Sequence, residues 1–395
     1  MLRTMNELYA KGISSLPPYL FAAIDERKKE ARKKGVDIID LGIGDPDLPT
    51  PPHIIEAVCR AAQDPVHHRY PSYEGMLEFR GAVAAWYKRR MHVTVDPESE
   101  VLTLIGSKEG IAHSAFAFLD PGDIALVPDP AYPVYHNATV LANAIPYPVP
   151  LTEANEFKPD LERIDKAVAR KAKVMFLNYP NNPTAATVEA SFFKEVIDFA
   201  HDHNLIVLHD NPYSELTFDG YKAPSFLTAK GAKEVGIEFN SLSKTYNMTG
   251  WRIGFAVGNA EILKGLRIVK TNVDSGTFQA VQVAGIAALT GSQDCVKRNM
   301  EIYRKRRDIL VEGLRSAGIA VTKPKATFYL WARVPQSFST SSSIQFSMFL
   351  LERAGLVVTP GIGFGAYGEG FIRFAFCVGE ERLQDACERL KGLHI

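Results

Sequence analysis

The stretch SLSKTYNMTGWRIGF, residues 241–255, holds Lys244 between Ser243 and Thr245, with Ser241 before it and Arg252 eight residues after it. A lysine that ends an apolar strand in a dry cleft gives up its proton readily, which is what an imine-forming amine requires. The serines and the arginine around it are ligands for an anion. Other polar residues stand in equivalent places along the chain. Gly106, Ser107 and Lys108 follow VLTLI and open a helix, whose free N–H groups and dipole favour a phosphate. Tyr132 follows DIALVPD in DPAYPVY, and Asn182 follows KVMFL in NYPNNPT. Asp210 closes LIVLHD, with Tyr213 three residues on.

The elements that must position these residues are legible from periodicity. YLFAAIDERKKEARKKG has helical spacing, lysines in its last turn and Gly35 as a stop, and VDIIDLGIGDPDLPTP after it reads as extended, then turning. From there VLTLIG, DIALVPD, AIPYPVP, KVMFLNYP, LIVLHD, IEFNSLS and RIGFAVG alternate with helical segments such as SKEGIAHSAFAFL and EASFFKEVIDFAHDHN. Apolar strands alternating with helices imply an α/β fold, a mostly parallel sheet covered on both faces. The helix QDCVKRNMEIYRKRRDILVEGLRSAG follows, and TFYLWARV, GLVVTPG and FIRFAFCV suggest a smaller α+β unit. The expected division is a large domain over 49–292, with 1–48 and 293–395 together building the small one. A chain of 395 residues is long enough to split its core in this way.

Bulk properties exclude several classes. Lys plus Arg equals Asp plus Glu at 45 each, so no global field exists to hold nucleic acid or an anionic membrane surface. Cys59, Cys295, Cys377 and Cys387 lie far apart without metal-ligand spacing, and read as free thiols in a reducing cytoplasm; no metal is expected. The amino-terminal MLRTMNELYAKGI lacks the apolar run of a secretory signal, and no stretch has the length to span a bilayer.

In open α/β sheets ligands collect beyond the carboxyl ends of the strands, where these polar residues fall. A phosphate cradle, two serines, an arginine, a buried carboxylate, an aromatic ring and an amine together match pyridoxal 5′-phosphate. Its phosphate needs the helix start, Ser241, Ser243 and Arg252; its ring nitrogen needs Asp210; its phenolic oxygen needs donors. Taken singly, a lysine after a strand is a solvated charge and NNP is a turn. The order of the motifs at successive strand ends is what favours chemistry.

These motifs resemble those of the class I/II aminotransferases of pyridoxal-phosphate fold type I, and the resemblance runs over nearly the whole chain. SLSKTYNMTGWRIGF resembles the family's Schiff-base motif, YPNNPT its asparagine motif and HDNPY its Asp-x-x-Tyr motif. Ala185 stands where the family usually has glycine after NPT. The resemblance implies that Lys244 carries the cofactor and then moves the substrate proton in a ping-pong transamination. It further implies that Asn182 and Tyr213 reach the phenolic oxygen, that Tyr132 stacks on the ring and that Arg373 of FIRFAF clamps the substrate carboxylate. Gly44 of GIGDPD would line the substrate site, and Tyr70 of RYPSYEG would reach the phosphate of a neighbouring subunit in a homodimer. The expected partners are small amino and 2-oxo acids.

Within the family, KGVDIIDLGIGDPDLPTPPHIIEA, HRYPSYEGMLEFR, DPAYPVYHNAT and KTNVDSGTFQAVQ are most similar to the LL-diaminopimelate branch, which serves lysine biosynthesis. That branch would make Tyr19 a substrate contact. A glutamate that reads the distal amine stands three residues after the tyrosine in other members; here Tyr73 occupies the place and Glu74 follows, so Glu74 is the candidate. An alanine- or aspartate-type aminotransferase, and a β-lyase on the same fold, are the alternatives. Gly363, Gly365 and Gly368 spell G-x-G-x-x-G, but a strand follows where a dinucleotide site requires a helix, which argues against a nicotinamide enzyme.

Overall fold

The computed structural model describes residues 9–16, 20–338, 340–393 and 395. A short strand β1 (Ile39–Asp40) precedes seven that correspond to the seven apolar runs: β2 (Val101–Leu104), β3 (Ile124–Asp129), β4 (Ile145–Pro150), β5 (Ala172–Asn178), β6 (Ile206–Asp210), β7 (Gly236–Ser241) and β8 (Gly254–Gly258). The seven form one sheet in the order β2-β8-β7-β6-β5-β3-β4. Strands β3 to β7 pair in parallel, and β8 runs antiparallel to both β7 and β2. The reversal has a covalent cause. Residues 242–253 between β7 and β8 form the lysine-bearing turn rather than a crossover helix, so the chain can only return in the opposite direction.

Successive strand residues point to opposite faces, and both faces are buried. Phe176 and Leu208 pack against Ile111, Tyr135 and Leu263 from the helices Ser107–Phe118, Val134–Leu141 and Ala260–Val273. Met175, Leu177 and Val207 pack against Phe79, Phe193 and Ala284 from Leu77–Met91, Ala190–His203 and Gln279–Thr290. A second core gathers around β9 (Tyr329–Arg333), β10 (Leu356–Val357), β11 (Thr359–Pro360) and β12 (Phe371–Ala375). Leu310, Leu350 and Leu383 from three carboxyl-terminal helices fill it together with Ile39 and Leu41, so β1, paired with β10, joins the end of the chain. The sheet order here is β11-β12-β9. The glycines at 363, 365 and 368 lie in short 3-10 turns that lead into β12. There Asp129 at the end of β3 accepts the backbone N–H groups of Ala366 and Tyr367, and this clasp joins the two sheets.

Behind the sheet, Glu238 in the middle of β7 is fully buried and accepts from the Tyr87 hydroxyl at 2.8 Å, the Ser225 hydroxyl at 3.0 Å and the Phe226 N–H at 2.8 Å. His209 Nδ1 lies 3.0 Å from Oε2, the oxygen that also accepts from Phe226. Burial opposes the charge, yet His209 and these donors prevail and hold the carboxyl below its usual range. Glu238→Ala would leave those groups unpaired in the interior, and should lower stability by about 3–5 kcal/mol in urea unfolding of the cofactor-free protein, with Glu238→Gln losing less.

Candidate active site

The carboxyl ends of β2, β3, β5, β6 and β7 open into a cavity of about 620 Å³ that the segments 40–44, 329 and 357–373 roof over. Gly44, Ser107, Lys108, Tyr132, Asn182, Asp210, Tyr213, Ser241, Ser243, Lys244, Arg252 and Arg373 all line it. Two expected residues stand apart. Tyr70 is 87% exposed and does not line this cavity, while Tyr19 lies outside the described residues.

Lys244 ends a single helical turn, Leu242–Thr245, that Ser241 caps by accepting the Ser243 N–H. Its Nζ donates to the Gly44 carbonyl at 3.0 Å. Burial pushes its pKa down, with Arg373 and Arg252 adding to the effect, so the neutral amine is favoured relative to a free lysine. Asp210 ends β6 with one oxygen, Oδ2, accepting from Tyr135 at 2.8 Å and the other, Oδ1, buried without a partner. Burial pushes its carboxyl up to about 6.

Near the floor, Arg252 is fixed by a bond from Nη1 to the Thr249 carbonyl at 2.8 Å, in a residue with φ of 56°. A Cβ added to Gly106 would come within 2.8 Å of Arg252 Nη2, so glycine is what lets the guanidinium reach the start of the helix Ser107–Phe118. No side chain caps that helix, and its first residues, Ser107 and Lys108, line the cavity, so that their free N–H groups are available there to an anion. Opposite, Arg373 is 5% exposed and, among the described residues, binds only neutral oxygens: Asn182 Oδ1 at 2.7 Å, the Gly42 carbonyl at 2.7 Å and Thr359 Oγ1 at 3.5 Å. Its Nε has no partner. Asn182 is held in turn by its N–H to Asn178 Oδ1 at 2.7 Å, in a turn where Ala185 adopts the left-handed φ of 58° that suits glycine.

Three residues of the site are not singled out by the sequence, although Asn178 closes β5. Tyr135 binds Asp210 from within a helix, Asn178 braces Asn182 and donates to the Asp210 carbonyl at 2.7 Å, and Tyr329 reaches in from β9. The aromatic run TFYLW was the one signal for the last of these. Glu74 is already engaged: its Oε1 accepts from Arg267 at 2.7 Å, and Arg80 lies 3.8 Å from its Oε2.

A guanidinium with no acidic partner among the described residues, set beside a helix start, an unpaired buried carboxylate oxygen and an amine whose pKa burial lowers fit the phosphate, ring nitrogen and aldehyde carbon of pyridoxal phosphate respectively. The fold and the site thus define a pyridoxal-phosphate enzyme. The chain matches the family aminotransferase class I and II over residues 36–390, and it belongs to that family. It is 57% identical to an LL-diaminopimelate aminotransferase of Moorella thermoacetica, over 97% of this chain and 97% of that one. With the enzyme of the same name from Syntrophobacter fumaroxidans the identity is 58%, over 97% and 98% of the two chains. Among solved structures, apo-BacF of Bacillus subtilis superimposes with a TM-score of 0.94 at 42% identity, covering 100% of this chain and 99% of that one. The protein is accordingly a transaminase that depends on pyridoxal phosphate. Among the described residues no helix is long and apolar enough to cross a membrane.

The raised Asp210 has a consequence for stability. Its carboxyl is protonated in the folded protein below about 6 and in the unfolded chain only below 3.8, so stability is relatively higher at low pH and declines as pH rises between these values. In cofactor-free protein Asp210→Asn should therefore raise stability by about 3 kcal/mol above that range and by little below it, read from urea midpoints across pH.

Proposed function

We propose that this chain transfers the amino group between LL-2,6-diaminopimelate and 2-oxoglutarate in lysine biosynthesis, as a cytoplasmic homodimer with a large cofactor-binding domain over 49–292 and a small domain from 1–48 and 293–395. The observation that carries the carboxylate-binding half of this reading is Arg373, a buried guanidinium with neutral partners only, facing the same cavity as Lys244. A buried cation without a counter-charge is costly, and a substrate carboxylate would supply the missing charge through two parallel N–H bonds. Full-length identity to the enzymes named above supports the choice of substrate.

Pyridoxal phosphate, when bound, supplies a conjugated ring that accepts the electron pair freed at the substrate Cα. The chain's residues do the rest. Ser107, Lys108, Ser241, Ser243 and Arg252 would hold the phosphate, through the helix N–H groups and through side chains. Asp210 Oδ1, the oxygen left unpaired by Tyr135, is the acceptor available to a protonated ring nitrogen, whose charge would favour the ionised carboxylate that burial alone disfavours. Tyr213 and Asn182 would donate to the phenolic oxygen, and Tyr132 would cover the ring. Lys244 would anchor the cofactor and, once displaced by the substrate amine, would as a neutral amine near the Gly44 carbonyl take the proton from Cα. Gly44 would border the substrate; Tyr19, given the same role by the resemblance, lies outside the described residues. Glu74 reads a distal ammonium in this scheme only by exchanging its bond to Arg267 for one to the substrate.

The homodimer is supported by a surface. Val66, Tyr70, Tyr73, Leu77, Val273 and Phe278 are exposed, and the segments bearing them are joined by Glu74–Arg267 and by Met76 N–H to Gln282 Oε1 at 2.7 Å. Exposed apolar residues on segments held together in this way suit an interface, and two-fold pairing would carry Tyr70 to a neighbour's phosphate site.

Comparison of kcat/KM for LL-diaminopimelate, meso-diaminopimelate, aspartate and alanine, with 2-oxoglutarate as acceptor, tests the substrate; LL-diaminopimelate should lead, with a margin of up to about 10⁴ over shorter donors. A lead for alanine or aspartate of more than about tenfold would overturn it. Mixing inactive Lys244→Ala chains with inactive Tyr70→Phe chains should restore activity, because a hybrid dimer retains one intact site; an active monomer in sedimentation would refute the shared site.

A further inference from the structure

Tyr329 begins β9 and is 3% exposed. Its hydroxyl lies 3.2 Å from that of Tyr213, and its ring faces the Arg373 guanidinium at 4.3 Å from Cζ to centroid. Its backbone N–H donates to Thr327 Oγ1 at 3.1 Å, which helps set the direction of the side chain. The backbone at residue 44 passes so close that a Cβ there would stand 2.0 Å from the Tyr329 hydroxyl. Glycine at 44 is therefore a requirement of this tyrosine. One side chain thus touches the substrate-carboxylate arginine, the phenolic-oxygen donor and the loop after β1 whose Gly44 carbonyl accepts from Lys244.

We infer that Tyr329 is a positioning residue for the transamination: its hydroxyl donates to Tyr213, and its ring face holds Arg373 in place. The inference rests on the roles given above to Tyr213 and Arg373. A phenol has a single proton to give. If Tyr213 spends its own on the cofactor's phenolic oxygen, the bond between the two tyrosines can run in one direction only, from Tyr329 to Tyr213. A donor that itself accepts a hydrogen bond is polarised and donates more strongly, by about 10–30% per bond. Burial pushes the Tyr329 hydroxyl up to about 12 and that of Tyr213 well above its usual value, so both remain protonated at neutral pH. The groups facing the pair are Arg373, Asp210, Tyr132 and Cys377. None of them hydrogen-bonds the Tyr329 hydroxyl, whereas Tyr213 does. The ring contact acts separately. Guanidinium on an aromatic face confines Arg373 to a plane from which its Nη atoms reach Asn182 and Gly42.

The two contacts predict different defects in the purified holoenzyme. Donors at the phenolic oxygen favour its deprotonated form, so weakening Tyr213 should raise the pH midpoint of the holoenzyme's visible absorbance change. Tyr329→Phe keeps the ring and loses the hydroxyl. Its midpoint should rise by about 0.5 pH unit, a threefold change in proton affinity, while KM for amino and oxo acid substrates stays within about twofold. Tyr213→Phe should move the midpoint further, and adding Tyr329→Phe to it should move it no more. Tyr329→Leu, which removes the ring as well, should raise KM about tenfold. An unmoved midpoint in Tyr329→Phe, or an equal shift in the Tyr213→Phe background, overturns the proposal while leaving the transaminase reading intact. If Tyr213→Phe itself leaves the midpoint unchanged, the role assigned to Tyr213 fails and the inference about Tyr329 fails with it.

Discussion

A buried guanidinium with no counter-charge among the described residues organises this molecule. Arg373 bonds Asn182 from the large sheet, the Gly42 carbonyl from the amino-terminal segment and Thr359 from the carboxyl-terminal unit, so three distant parts of the chain converge on one cation. Each supplies a neutral oxygen, which solvates the charge without cancelling it. A carboxylate placed there instead would be the cheaper arrangement for folding alone. Its absence keeps the site receptive to an anion from outside.

The same logic recurs across the cavity. Lys244 and Asp210 are both pushed by burial toward their neutral forms, in opposite senses of titration, and Asp210 keeps one oxygen unpaired. Such groups destabilise the empty fold and gain when a ligand with matching donors and charges enters, a trade of stability for function that active sites commonly make. The contrast with Glu238 is instructive. That carboxylate lies on the opposite side of the same sheet, equally buried, and its oxygens are satisfied by four groups, which makes it part of the scaffold rather than of the chemistry.

Rigidity behind the sheet supports openness in front of it. The parallel strands end at a common edge because their crossover helices pack on both faces, and the polar residues at those ends inherit their positions from the strands. The cavity is completed from the other side by β9, β11 and β12, with the Asp129 clasp on Ala366 and Tyr367 joining that roof to the sheet.

The sequence by itself determined what depends on local order. All seven strands of the large sheet, the helices at Ser107 and Ala190, and the residues Ser107, Tyr132, Asn182, Asp210, Lys244 and Arg252 at or near the strand ends were legible, because period, turn chemistry and motif spacing are properties of neighbours in the chain. What depends on separation was not. The antiparallel direction of β8, Tyr135 beneath Asp210, the bond between Glu74 and Arg267, and Tyr329 against both Tyr213 and Arg373 join residues that are remote in sequence or carried by other elements. No motif singles out Tyr329 or Tyr135, and Glu74 is placed at a distal amine only by its spacing from Tyr70. Only tertiary packing decides which hydroxyl or carboxylate meets which partner, because a hydrogen bond or ion pair is a matter of ångströms in space and leaves no trace in the spacing of residues along the chain.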